Sequence, residues 1–540
     1  MSKYVKSYNL KPTIYKSRSK FPLNHSHKTM FNEGDLIPIL VQEVYPGDTF
    51  SVDTNYVIRT TVPFIRPIMD NLFIDIRYFF VPNRLVYDKW TQVMGENKTS
   101  AWAPDSYAEV PQVSGKLTVA SIADYMGVKN ASSNNNVTVS RLPFRAYGLI
   151  YDEWYRDENL QQPMLINKSD TDNTSLNGNP FAPNNIYGMP AKVNKLHDYF
   201  TSCLPGPQKG DPVSFPLNGV APVVTTNLTN QFATGVGTPL YWMDPEANTR
   251  VNTSGYVGIS SGDTQLGSDP APAGGTNLAP LNLVIKGEDL GASINDLRMA
   301  GALQRLLEKD ARGGTRYTEY IQEHFGVINP DARLQRSEYL GGTRQPLALQ
   351  QVQQTSQSST ESPLAQVGAS SLTNGRSGFT KGFTEHGFVI GLACVKQFHT
   401  YQQGLERFWT RKSRYDFYDP VFANIGEQPV YQSEIYCTGT NTNTVFGYNE
   451  AWADLRYRPS RVSGMLTSQA NQGFDIWHLG DKYASAPVLG SEWIKESNNI
   501  DRCLSVPSTT APNFVADFYF NMNAIRELPT YSIPGLFDHN

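Results

Sequence analysis

The sequence predicts a mainly β protein: an eight-stranded antiparallel jelly-roll β-sandwich with long loop insertions and a few helices. Three observations carry that expectation. Aromatic residues make up 12% of the chain and charged residues 18%, with 42 glycines and 35 prolines in 540 residues. That balance suits strands and turns better than a helical enzyme. Second, Leu72, Ile74, Ile76, Tyr78 and Phe80 alternate with Phe73, Asp75, Arg77 and Phe79, the period of a strand with two different faces. Third, the β-like stretches form two groups far apart in sequence. They make one core only by pairing across the middle, and jelly rolls do this because loop closure entropy grows only logarithmically with length.

Residues 1–28 carry Lys3, Lys6, Lys11, Lys16, Arg18, Lys20 and Lys28, with no acidic residue before Glu33 and with Tyr4, Tyr8 and Tyr15 interleaved. Such a segment is either a solvated basic terminus or an arm that neutralises phosphates and stacks on single-stranded bases. His25 and His27 lie in this arm, ahead of the first expected strand, without a third ligand at useful spacing. LIPILVQEV, the turn Tyr45–Asp48 and TFSVDTNYVIRT read as strand, turn, strand. In the strand that follows, one face is expected to be core and the other to carry charge at an interface, with Pro82 as its end. VYDKWTQVMGE suggests a short helix. The stretch from Phe144 reads as helical, with Tyr147, Ile150, Tyr151, Trp154 and Tyr155 near one face, a stripe that is core sooner than a ligand box.

From Leu204 to Ile285 Gly, Pro, Thr, Ser and Asn dominate, the composition of a linker or a functional insertion. The clearest long helix follows. Ser293 is its expected N-cap, Asp296 stands three residues on, and Gly313-Gly314 supplies the stop. Gly301 inside it costs about 1 kcal/mol of helix propensity. A second helix spans about Tyr317 to Phe325 and ends at Gly326. The polar segment from Leu347 to Gly375 reads as a long inter-strand loop. Later strand candidates are Phe388–Val395, Ser433–Thr438 and Asp517–Asn523, and the C-terminus reads as extended. The expected organisation is a basic arm (1–35), a first part of the core with insertions (36–203), a polar surface insertion (204–286), then the helical block, remaining core and tail (287–540).

Catalytic motifs are weak. Gly258-Ile-Ser260-Ser-Gly262 matches a hydrolase elbow as letters, but no helix follows it. No H-E-x-x-H or Walker A pattern occurs. Glu319, Glu323 and His324 share one helix and read as a polar face rather than an acid–base site. Cys203, Cys394, Cys437 and Cys503 are too scattered for a disulfide framework or a structural zinc site. No cofactor is expected. The first twenty residues lack an apolar run, so no signal peptide is expected, and no apolar stretch is long enough for membrane insertion. Net charge is −4, so nucleic-acid contact has to come from a local patch. The arginines suggest patches: Arg312, Arg316, Arg333 and Arg336 in one block, Arg411, Arg414, Arg458 and Arg461 in later ones. Arginine's planar fork suits interface pairing as well as phosphate, and subunit contact is the expected role for most.

DARGGTRYTEYIQEHFGV (Asp310–Val327) and PDARLQRSEYLGG (Pro330–Gly342) resemble the major capsid protein of the gokushoviruses, small single-stranded DNA phages of the Microviridae. FIDIRYFFVPNRLVYDKW, FTEHGFVIGL, TYQQGLERFWTRKSRYDFYDPVFANIGEQ, GYNEAWADLRYRPSRVSG and PTYSIPGLFDH are similar to that family in the same order, across nearly the whole chain. The resemblance implies a structural protein, not an enzyme. It implies a T=1 icosahedral homo-oligomer around a circular single-stranded DNA genome, assembled in the bacterial host cytoplasm with a phage scaffolding protein and a DNA pilot protein. It also implies that the 204–286 insertion builds threefold protrusions facing a host surface receptor. The competing reading is a carbohydrate-binding β-sandwich, which would share the aromatics and long loops but lacks a convincing carboxylate pair here.

Overall fold

A computed structural model describes residues 17–96, 108–131, 135–164, 166–170, 188–211, 213, short strands between 223 and 285, and residues 294–314, 316–356 and 364–531. Two compact units result, Met1–Lys209 with Glu308–Asn540, and Gly210–Leu307. The insertion expected at 204–286 falls mostly within the second unit. That unit holds short antiparallel pairings, among them Trp242–Asp244 with Thr249–Val251, and Val257–Ile259 with Leu266–Ser268.

Ten strands make the two large sheets of the first unit: β1 Ser19–Pro22, β2 His25–Phe31, β3 Ile37–Val44, β4 Thr49–Thr60, β5 Leu72–Pro82, β6 Glu338–Pro346, β7 Leu349–Gln353, β8 Val367–Gly382, β9 Gly387–Gln397 and β10 Phe514–Arg526. One sheet has the order β1–β10–β4–β8–β7, with β2 also on β10; the other runs β6–β5–β9–β3. All these pairings are antiparallel. Alternation explains the core. Leu72, Ile74, Ile76, Tyr78 and Phe80 of β5 meet Phe50, Val52, Tyr56 and Ile58 of β4 and Phe514, Phe518 and Phe520 of β10 in one buried cluster. Each such side chain contributes about 1.5–3 kcal/mol by leaving water. Two polar pairs lie inside: the Tyr78 hydroxyl donates to Thr54 Oγ1 at 2.7 Å, and Tyr56 to Gln345 Oε1 at 2.7 Å. Gly375 makes room for the second bond, since a Cβ there would lie 2.1 Å from Gln345 Oε1 and 2.4 Å from the Tyr56 hydroxyl.

The helix expected from Phe144 is α1, Leu142–Trp154, opened by Pro143. It lies over the outer face of the smaller sheet, so that Phe79 and Val81 of β5 and Ile390, Leu392 and Cys394 of β9 join Phe144, Tyr147 and Ile150 in a second core. Tyr147 donates to the Leu36 carbonyl at 2.7 Å. The second face of β5 is therefore covered rather than free for an interface. Its charged pair is settled internally: Asp75 is 5% exposed and receives Arg77 at 2.8 Å and Arg344 at 2.9 Å.

The next two helices are α2, Ile294–Gly313, and α3, Tyr317–Phe325, the latter closed by Gly326 in the left-handed region at φ 66°. Ser293, the expected cap of α2, lies outside the described residues. Space is open around Gly301, so its missing side chain leaves no packing defect. VYDKWTQVMGE holds the single turn Trp90–Val93, preceded by a turn at Asn83–Val86.

Three expectations need correction. Two strands precede Leu36, and His25 and His27 belong to β2: His25 stacks on Phe520 at 4.9 Å, while His27 Nδ1 lies 2.9 Å from the Ile39 carbonyl oxygen. Leu347–Gly375 is not all loop, because β7 and the first half of β8 form a hairpin there. Gln350, Gln351, Val352 and Gln353 are all exposed, which removes the apolar alternation that marks a half-buried strand. Ser433–Thr438 is not a strand: Gln432–Ile435 is a helical turn, and Glu434 Oε1 closes it by accepting the Tyr431 N–H at 2.9 Å.

Candidate assembly surface

Lys3, Lys6, Lys11 and Lys16 lie outside the described residues. Arg18 faces Glu527 at 3.5 Å and Lys28 faces Asp517 at 3.4 Å, both in exposed pairs beside β10. Lys20 sits on β1, exposed. Exposed pairs of this kind are worth about 0–1 kcal/mol, so these cations stay available to other anions.

Most of the flagged arginines already have partners in the chain. Arg312 pairs with Glu427. Arg316 pairs with Glu319 at 3.0 Å and donates to the carbonyls of Asp152 and Arg156. Arg336 lies over the Trp154 ring at 4.0 Å and near Asp331 at 3.6 Å. Arg411 meets Asp454 at 2.6 Å, and Arg458 and Arg461 share Glu406. Arg333 and Arg414 are exposed and, among the described residues, have no carboxylate within 4.0 Å. The His324 ring pairs with Asp310 at 3.1 Å and stacks on Tyr320. Glu319 is taken by Arg316 and Glu323 is exposed, so Glu319, Glu323 and His324 form a polar face. Ser260 lies outside the described residues.

A dense run of exposed apolar residues lies in the long connection between β9 and β10. Residues 407–425 form three short 3-10 turns, Arg407–Thr410, Arg414–Asp416 and Pro420–Phe422. Each is fixed by local bonds. Asp416 Oδ2 accepts the N–H groups of Lys412 at 2.9 Å and Ser413 at 2.7 Å, and Asp419 Oδ1 accepts that of Val421 at 2.9 Å. The backbone N–H groups around Asp416 hold its carboxyl below the usual carboxylate range. Trp452 anchors the segment from below, donating Nε1–H to the Phe422 carbonyl at 2.8 Å and meeting Tyr418 edge-on at 5.4 Å. Yet Val421 is 83% exposed, Tyr415 74% and Trp409 66%, and Phe408, Phe417, Tyr418 and Ile425 are exposed too. A cleft of about 550 Å³ opens between Trp409, Tyr415, Tyr431 and Trp452.

One buried cluster went unnoticed in the sequence. His399 Nδ1 lies 2.9 Å from Asp481 Oδ1 and Nε2 2.7 Å from Glu496 Oε1, all three essentially excluded from solvent. Lys195 and the Tyr483 hydroxyl also reach Asp481, at 3.3 and 2.8 Å. Burial alone would lower the His399 pKa, but the two carboxylates outweigh it and hold it up to about 10. Burial would raise that of Asp481, yet His399 and Lys195 hold it low. Burial, then the Glu496 charge, pushes Glu33 beside them well up. With both ring nitrogens occupied by carboxylates and no entry from solvent, this histidine cannot serve a substrate; it ties the connection to the sandwich. Nothing in local sequence signals it, because its members come from positions 33, 195, 399, 481 and 496.

Among the described residues no group of His, Cys, Asp and Glu could hold a metal ion, and no helix is long and apolar enough to cross a membrane. The four cysteines are free thiols, three of them buried. A β-sandwich with its histidine–carboxylate cluster sealed inside and a run of exposed aromatics on an ordered segment has the build of a structural, interface-forming protein. Comparison with known proteins gives that class its family. Residues 11–536 match the capsid protein (F protein) family. The chain is 39% identical to capsid protein VP1 of Chlamydia phage 1 over 97% of its own length and 96% of that protein. It is 40% identical to VP1 of Spiroplasma virus 4 (96% and 95%) and 37% identical to VP1 of Bdellovibrio phage phiMH2K (97% of each). The chain belongs to the capsid protein (F protein) family, with the gokushovirus coat proteins. It is a structural component of a virion and not an enzyme.

Proposed function

We propose that this chain is the repeating subunit of a small T=1 icosahedral shell that encloses circular single-stranded DNA. The observation that carries the reading is the near end-to-end match to phage VP1 proteins. The strand orders support it. β2, β10, β4 and β8 against β3, β9, β5 and β6 read as the two sheets of an eight-stranded jelly roll, with β1 and β7 as edge additions. Successive long strands change sheet each time except at β5 and β6, which pair directly across the 83–337 insertion, as the topology requires. The separate compaction of Gly210–Leu307 supports a surface insertion used in host attachment. Scaffolding and pilot proteins of the phage, and a receptor on the host, are the partners this reading implies, with assembly in the host cytoplasm.

Single-particle cryo-electron microscopy of sedimentable material, from cells making the protein with its phage neighbours, tests the reading. Closed icosahedral shells with protrusions are expected. Only monomers or small open oligomers would overturn it and restore the carbohydrate-binding alternative. The basic arm would act on DNA, since phosphate neutralisation is local and additive. Reversing charge at Lys3, Lys6 and Lys11 is therefore expected to lower packaged DNA more than shell number; equal DNA content per particle would remove the arm from that role.

A further inference from the structure

We infer that the ordered aromatic surface Phe408–Ile425 is a contact through which one subunit binds a second copy of this chain. The inference rests on the reading of the chain as a self-associating coat subunit and names the surface.

Composition comes first. Seven large apolar residues are exposed within this short run, Phe408, Trp409, Tyr415, Phe417, Tyr418, Val421 and Ile425. Aromatic residues beside arginine are what the centres of protein interfaces are made of. Order comes second. The first turn is held by the Thr410 hydroxyl on the Arg407 carbonyl and by Arg407 on the Pro429 carbonyl, and the other two by Asp416, Asp419 and Trp452, so the rings are presented with little further cost of ordering on contact. The cleft of about 550 Å³ between Trp409, Tyr415, Tyr431 and Trp452 gives an incoming side chain a pocket to fill.

Charge selects the occupant. Of 46 basic residues, seven lie in 1–28 and four in 407–414, which leaves 35 against 50 acidic residues over the rest of the chain. A second copy therefore carries an acidic excess outside these two segments to meet the side-chain nitrogens of Lys412 and Arg414, which have no carboxylate within 4.0 Å among the described residues. Single-stranded DNA fits less well. Arg411 is spent on Asp454 at 2.6 Å and Arg407 lies near Glu434 at 3.8 Å, so the cleft has little cationic excess. Val421 and Ile425 also add apolar area that bases cannot stack on.

The test uses full-length protein expressed with the other phage proteins. A photo-activatable phenylalanine analogue at Val421 is expected to cross-link to a second copy of this chain in purified particles. Val421→Ser with Trp409→Ala is expected to cut particle yield at least ten-fold, while the soluble variant keeps the parent's circular dichroism spectrum and thermal midpoint. Cross-links to DNA, or variant particles formed at parental yield, with or without their normal DNA content, would overturn the inference while leaving the coat reading intact. If the variant were to unfold, the cross-link alone decides, since it perturbs one exposed position. A parent chain that forms no particles at all would instead overturn the coat reading and this inference with it.

Discussion

β5 and the run from Phe408 to Ile425 are written in nearly the same letters and do opposite things. Both are crowded with Phe and Tyr, and both carry arginine beside aspartate. In β5 the aromatics alternate strictly, so Tyr78 and Phe80 enter the sandwich while Phe79 goes under α1. Its Arg77 meets a nearly buried Asp75. In the later run the same residue types follow no period, prolines and aspartates fold them into short turns, and most rings are left in water. Periodicity decides whether aromatic residues fill a core, and its absence in an ordered segment marks a surface for something else to cover.

The difference can be broken from the core side first, where the largest effects are expected. Phe79→Ala removes a fully buried ring between β5, Trp154 and Tyr155 and should cost about 3–5 kcal/mol. Denaturant unfolding of soluble protein would show a lower midpoint; an unchanged midpoint would mean that α1 does not cover β5. Tyr415→Ala, with a ring of similar size, should change the same midpoint little, because surface substitutions usually stay within about 0.5 kcal/mol.

The attachment of the connection to the core should be nearly as costly to break. His399→Gln leaves Asp481 and Glu496 buried without the shared cation, and breaking a buried pair costs about 3–5 kcal/mol. pH gives a sharper signature. The folded pKa of His399, about 10, lies above its ordinary 6.5. Its contribution is therefore complete below about pH 6.5 and is lost as pH rises toward 10. Parent stability should fall across that window, and the variant should lose that slope. Equal slopes would place the histidine's proton elsewhere.

Much of the core was legible because alternation and glycine stops are local. β3, β4, β5, β9 and β10 lie where their apolar patterns put them, and α3 ends at Gly326 as its glycine dictates. What escaped was non-local. β1 and β2 are edge strands whose inward side is mostly polar, His27 and Thr29 before Phe31 in β2, and β7 is exposed from Gln350 on, so none of them shows an apolar period. The arginines were legible as clusters but not as pairs: Arg344 reaches Asp75 across 269 positions, and no spacing rule spans that distance. The helical turn at Gln432–Ile435 failed for the opposite reason, since a few alternating letters imitate a strand while one glutamate cap decides the turn.

The smallest expected effect separates the two kinds of arginine. Arg77→Ala takes one of two cations from Asp75, which is 5% exposed. With Arg344 still at 2.9 Å the carboxylate keeps a partner, so the loss should be about 1.5–3 kcal/mol, the range for a hydrogen bond to a charged group. Arg414→Ala removes an exposed side chain that has no carboxylate within reach among the described residues, and the isolated chain should melt within about 0.5 kcal/mol of the parent. Particle yield should rank them in reverse, relative to the folded protein available, because only the second cation faces outward from the aromatic surface. Melting curves paired with sedimented particle counts decide it. If Arg414→Ala destabilises the free chain as much as Arg77→Ala does, the side chain has an internal partner and the exposed segment loses its distinction from β5.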